Sequence, residues 1–179
     1  MSRPFVALLY SISIAEGRRL VMADLRDLAA DLGLERPRTL LATGNLLFEA
    51  EGDARAIEAR LEPAFAERFG RAVSIIVRDG TGWPRLMAAN PFPEAAEREP
   101  ARVAVRVMRT PADAAAVARL SPYLAPGERL AVAGGDLWVH LPDGFAPSRL
   151  PGAITPRREG IGTFRNWNTV KRIGAALAG

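Results

Sequence analysis

The sequence predicts an α+β fold: two ferredoxin-like β-α-β-β-α-β subdomains with antiparallel sheets, closed by a C-terminal helix. Three observations carry that expectation. Short apolar or alternating runs and segments of helical period follow one another in the same order in both halves of the chain. Between the halves lies a proline-interrupted stretch, Asn90-Pro91-Phe92-Pro93, and then a polar segment. The 179 residues, 49% hydrophobic and 25% charged, have an ordinary globular composition and are enough to bury a core. The expected organisation is an N-terminal subdomain over 1–80, a connecting helix and loop over 81–100, and a C-terminal subdomain with the terminal helix over 101–179. Only the topology is duplicated, and no heptad, low-complexity tract or short tandem repeat occurs.

Phe5 to Ile14 is a β-rich apolar run, read as a buried strand, and the polar turn from Ala15 to Arg19 follows. Val21, Leu25, Leu28, Ala29 and Leu32 recur at helical spacing, with Gly33 placed to end the helix. Thr39 to Ala42 and Asn45 to Phe48 read as short strands around Thr43-Gly44. Asp53 is a helix cap, the stripe Ile57, Leu61, Phe65 and Phe69 follows it, and Gly70 closes the helix. Ala72 to Arg78 is the fourth strand. Thr81 to Asn90 is the connecting helix, with Pro84 tolerated in its first turn. The prolines that follow end it, because a residue before proline avoids the helical region. Glu94 to Pro100 reads as a polar loop.

In the second half, Arg102 to Met108 alternates as a strand does. Thr110-Pro111-Ala112-Asp113 reads as an N-cap, a first-turn proline and a capping acid, with Val117 and Leu120 on the helix behind them. Arg129 to Ala133 and Asp136 to Leu141 form a hairpin around Gly134-Gly135. Residues 148–159 are too broken by Pro151 and Pro156 for a long helix. A short strand near 161–165 leads into a helix from Asn166, whose apolar positions are Trp167, Val170, Ile173 and Leu177.

Composition removes several function classes. There is no cysteine, which excludes disulfides, thiolate metal sites and a cysteine nucleophile, and the single histidine, His140, excludes a multi-histidine zinc site. No P-loop, dinucleotide fingerprint, EF-hand or nucleophile elbow is found. No cofactor and no metal are expected. The N-terminus lacks the pattern of a signal peptide, and no apolar run reaches the roughly 18 residues of a membrane span, so the reading is a cytoplasmic protein without a membrane partner. All basic residues but Lys171 are arginine. The excess positive charge lies in residues 145–179, where Arg149, Arg157, Arg158, Arg165, Lys171 and Arg172 face Glu159 alone. Such a segment attracts nucleic acid, an acidic partner or a phosphorylated metabolite, or is simply a solvated arginine-rich face.

Gly162 to Arg172 holds the densest polar chemistry: Thr163, Arg165, Asn166, Trp167, Asn168 and Thr169 crowd together. One reading is a ligand site, in which the free donors of a helix start and the Arg165 fork meet an anion. The other is structural, with Asn166 capping, Asn168 and Thr169 tying a turn, and Trp167 in the core. Thr43 and Asn45, on the turn around Gly44, hold either a ligand's polar group or their own backbone. Asp143, in an Asp-Gly turn, is a candidate base or a partner for Arg165. Ser148 and Arg149 complete the candidates.

The ending Thr163-Phe164-Arg165-Asn166-Trp167-Asn168-Thr169-Val170 resembles the T-x-R-N-W-N-T-V signature of the bacterial DUF1697 family, a domain of unknown function. Phe5 to Leu9 is similar to that family's opening strand, Met22 to Arg26 to its first helix, and Thr43 to Phe48 to its "SGNVVF" strand-turn-strand. Asn90 to Pro93, Leu141 to Gly144 and Ser148 to Leu150 fall in the family's order and spacing. The resemblance implies a duplicated α+β fold and no settled activity. The chain departs from it at Tyr10 to Gly17, where the family's arginine, asparagine and one glycine are missing.

Three functions remain open at this stage. The first is a binding protein for a small anionic ligand or a protein partner, acting through Gly162 to Arg172. The second is nucleic-acid binding by the basic C-terminal segment, with Trp167 or Phe164 stacking on bases. The third is an enzyme on a small anionic substrate, which needs Asp143 and Arg165 side by side.

Overall fold

A computed structural model describes residues 1–10 and 18–179. The strand expected over Phe5 to Ile14 is described as β1 (Arg3–Leu9), and residues 11–17, which hold most of its expected continuation and of the turn after it, lie outside the described residues. The first antiparallel sheet has the order β2-β3-β1-β4, with β2 Glu35–Leu40, β3 Asn45–Ala50 and β4 Ile75–Asp79. Two helices cover one face, α1 (Met22–Asp31) and α2 (Ala54–Phe69). Strand alternation sends Phe5, Ala7, Leu9, Leu46, Phe48, Ile75 and Val77 to that face, where they meet Leu25 and Leu28 of α1 and Ile57, Leu61 and Phe65 of α2. Asp53 caps α2 by accepting from the Ala56 N–H at 2.9 Å. β4 is an edge strand, and α2 supplies acceptors to it: the Glu62 and Glu58 carboxylates take the Ile75 and Val77 N–H groups at 2.9 Å each.

The second sheet repeats the plan in the order β6-β7-β5-β8. Its strands are β5 Val103–Met108, β6 Arg129–Ala133, β7 Asp136–His140 and β8 Gly162–Asn166. The β6–β7 hairpin turns on Gly134 and Gly135 at φ 61° and 83°, the paired left-handed backbone that a two-residue turn requires. The chain is therefore α+β with a duplicated ferredoxin-like layout, as the sequence predicts. Between β4 and β5 in the sequence come a 3-10 turn at Gly80–Gly82, α3 (Trp83–Ala88) and α4 (Pro93–Arg98). After β5 comes the short α5 (Ala116–Leu120), and after β7 come α6 (Leu150–Ala153), α7 (Pro156–Glu159) and, beyond β8, α8 (Trp167–Ala178).

Local differences from the sequence reading have physical causes. Glu94 to Pro100 is not a loop, because α4 occupies Pro93–Arg98 with proline at its start, Glu94 in its first turn, Arg98 in its last and Ala95 and Ala96 buried. Thr110 does not cap a helix. The Ala112 N–H donates to the Gly135 carbonyl at 2.8 Å, outside any helix, and Asp113 accepts from the Ala115 N–H at 2.8 Å, so helical bonding starts only at Ala116. Leu41 and Ala42 belong to the β2–β3 turn, with Leu41 at φ 60°.

The chain divides into two compact units, one of Met1–Pro84 with Ile173–Gly179 and one of Arg85–Arg172. The terminal helix, expected whole in the second half, divides between them. Arg38 donates to the Ala176 carbonyl and so holds the helix's last turn within the first unit.

Candidate functional site

β8 is the edge strand that carries the polar segment into α8. It passes close to β5: a Cβ on Gly162 would lie 2.8 Å from the Met108 sulfur and 3.0 Å from the Val107 carbonyl oxygen. Alternation then divides the side chains. Phe164 turns to the helix-covered core and meets Phe145 edge-on at 5.2 Å. Thr163 and Arg165, opposite Val107 and Val105, turn to the other face, and both are buried. Among its contacts, Arg165 donates to the Thr163 hydroxyl at 3.0 Å and to the Phe164 carbonyl at 2.8 Å. Burial lowers its pKa to about 10, which leaves it a cation at neutral pH.

At the helix start, the Asn166 side-chain Oδ1 accepts from the Thr169 N–H at 3.0 Å, which is the capping role. The Trp167 N–H donates to the Pro100 carbonyl at 3.2 Å. Two of the first donors of α8 are thus committed inside the protein, which does not favour an open anion cradle there. Thr169 is buried and Asn168 exposed.

The segment opens onto a concavity of about 510 Å³ in the second unit, lined by Met87, Asn90, Pro93, Glu97, Trp167 and Lys171 with two alanines. Trp167 and Lys171 stand one helical turn apart and so share a face of α8. The half-buried indole of Trp167 lies 6.1 Å from that of Trp138, inclined at 54°. Asn90 accepts from the Phe92 N–H at 2.9 Å, while its buried side-chain N–H₂ has no partner among the described residues. Phe92 carries the Arg129 guanidinium over its ring at 4.7 Å. Arg129 also donates to Nδ1 of His140, at 3.1 Å from one of its nitrogens, and His140 Nε2 is 3.1 Å from Glu99. A guanidinium can only donate, so Nδ1 accepts and Nε2 carries the hydrogen toward Glu99. Both ring nitrogens are engaged, so His140 is a packed residue and offers no free nitrogen as a base.

The other candidates lie elsewhere. Asn45, fully buried in the first unit, donates to the Leu40 carbonyl at 2.9 Å and the Thr43 hydroxyl at 2.8 Å, tying the β2–β3 turn. Asp143 is exposed and forms no ion pair among the described residues, so it is not joined to Arg165. Ser148 accepts from the Leu150 N–H at 3.2 Å, and exposed Arg149 donates to the Pro122 carbonyl at 3.3 Å. None of these residues lines the concavity, and neither do Thr163, Arg165, Asn166, Asn168 or Thr169. Thr163, Arg165, Asn166 and Thr169 instead surround the backbone from which Trp167 and Lys171 project. Sequence reasoning passed over Lys171 and Glu97 as lining groups. The i, i+4 spacing of Trp167 and Lys171 was the available signal. Among the described residues no group of three acidic or histidine side chains could hold a metal ion, and no helix is long and apolar enough to cross a membrane.

Residues 1–138 match the family described as "Protein of unknown function (DUF1697)", and the chain belongs to that family. No curated protein matches it. Among solved structures it is similar to the conserved bacterial protein SP0830 from Streptococcus pneumoniae. That protein is 20% identical, with 99% of each chain covered and a TM-score of 0.78, a likeness of fold.

Proposed function

We propose that this chain is a binding protein that takes a small anionic ligand at the concavity beside its Gly162 to Arg172 segment. The observation that supports this reading is the shared lining of that concavity by two segments distant in sequence, Asn90 with Pro93 and Trp167 with Lys171. Its volume, about 510 Å³, lies within the range of small-molecule sites. Met87, Pro93 and the edge of Trp167 offer an apolar body, and the exposed Lys171 ammonium offers a point charge for one acidic group. Glu97 disfavours a second acid beside it. The preferred ligand is therefore a flat or apolar body carrying one carboxylate or phosphate.

The other readings lose residues to the interior. For nucleic acid, Phe164 is packed on Phe145 and Arg165 is buried, which removes one stacking ring and one cation. For catalysis, Asp143 and Arg165 form no pair. We place the protein in the cytoplasm, in keeping with a chain that has no cysteine.

The test is a thermal-shift screen against carboxylates, phosphorylated metabolites and short nucleic acids at low and moderate salt, with Lys171→Gln and Asn168→Ala alongside the wild type. The expected result is a small-molecule shift at both salts that Lys171→Gln abolishes without changing the unliganded melting temperature. A shift by nucleic acid alone, lost at moderate salt, would replace this reading with the basic-surface one. No shift from any small molecule would sink it and leave a protein partner.

A further inference from the structure

The concavity beside Trp167 is lined by one cation and one anion, and the pair narrows the ligand further. On α4, Pro93, Ala96 and Glu97 fall three and four residues apart and so share one face of the helix, as Trp167 and Lys171 do on α8. Among the described residues the lining holds no other charged side chain and no chain terminus. Arg85, Glu94, Arg98 and Arg172, charged neighbours along the same helices, are not part of it. Glu97 and Lys171 are both exposed, and neither has an ion-pair or hydrogen-bond partner among the described residues. Met87, Pro93 and Trp167 supply the apolar part of the lining.

Two opposite charges that line one space without closing on each other both lack a counter-charge there. A ligand with an acid alone answers Lys171 and meets repulsion from Glu97, and an amine alone does the reverse. A ligand that carries both groups answers both. A carboxylate suits the acid end better than a phosphate dianion, which would set two negative charges against one ammonium with Glu97 in the same lining. We propose that the concavity binds an amino acid with an apolar side chain, its carboxylate at Lys171, its ammonium at Glu97 and its side chain against Met87, Pro93 and Trp167. This rests on the reading of the concavity as a site for an acid and adds the ammonium to it.

The test titrates amino acids and their deaminated counterparts into the full chain at low ionic strength, by calorimetry and ligand-observed NMR. The pairs are phenylalanine with hydrocinnamate, leucine with isocaproate and tryptophan with indolepropionate, and phenethylamine is the amine without the acid. In at least one pair the amino acid should bind about three- to fivefold tighter than the bare acid, the size expected of an exposed charge pair. Phenethylamine should bind more weakly than phenylalanine. Glu97→Gln should erase the preference, weakening the amino acid and tightening the bare acid, and Lys171→Gln should weaken both. Both side chains are exposed, so both variants should keep the wild-type melting temperature. If a bare acid binds, is lost in Lys171→Gln, and no amino acid binds better, the acid site stands and the amino-acid proposal falls. A preference that survives Glu97→Gln overturns it too. If no probe binds at millimolar concentration the proposal falls, and the thermal-shift screen above decides whether the acid site falls with it.

Discussion

Arg165→Met tests whether the buried arginine of the signature segment is kept for stability. Burial lowers the Arg165 pKa from its ordinary value to about 10, so the charged form is disfavoured in the folded protein. That difference corresponds to a cost of about 3 kcal/mol at neutral pH. The sign follows from linkage: with a folded pKa below the unfolded one, the unfavourable contribution is fully present below about 10 and is relieved as pH rises from there toward the ordinary arginine value. Against it stand hydrogen bonds to Thr163 and Phe164 among other contacts, each worth ~1.5–3 kcal/mol for a charged donor. At the low end of that range the two bonds and the burial cost cancel. Arg165→Met, which fills similar space without charge, should therefore change stability by less than about 2 kcal/mol. Arg165→Ala should cost about 2 kcal/mol more, because a void of ~80 Å³ at ~24 cal/mol per Å³ is left behind. Urea unfolding of the three proteins at neutral pH measures both differences. If the methionine variant is as damaged as the alanine variant, the guanidinium is a structural clamp and the reasoning fails.

Asn45→Ala breaks the bonds to the Leu40 carbonyl and the Thr43 hydroxyl at a fully buried position. It should cost about 2 kcal/mol, seen as a melting point lower by about 4–8 °C. Unchanged melting would argue that Thr43 and Asn45 serve a ligand instead. The Asp113 carboxyl is held below its usual range by the Ala115 N–H and then by Arg119, so its stabilising contribution is present above pH 3.8 and is lost as pH falls through the folded value. Asp113→Asn should flatten the acid limb of the stability profile there, and an unaltered limb would show the contacts to be inert.

Much of the fold was legible because its signals are local. Asp53 caps a backbone N–H three residues on, Gly33, Gly70 and the Gly134-Gly135 pair act through their own backbone, and the stripe from Ile57 to Phe69 needs only one helix to be read. Where a distant partner decided, the reading failed. The Ala112 N–H is taken by the Gly135 carbonyl, and α4 forms around Ala95 and Ala96, two small residues whose burial no window of that polar segment reveals. The candidate site divides in the same way. Asn166 as a cap is a local rule, whereas the burial of Arg165 and its separation from Asp143 are not.

The sequence by itself determined the family, the order of the strands and the two sheets, because side-chain alternation, capping and turn chemistry operate within a few residues. Only the tertiary structure decided which polar residues face inward and which line a cavity. It turned Thr163 and Arg165 into the interior and brought Trp167 and Lys171 beside Asn90. The physical reason is that exposure and juxtaposition depend on strand pairing across as many as 74 positions, as between Phe5 and Asp79, and that pairing is set by the packing of the whole sheet.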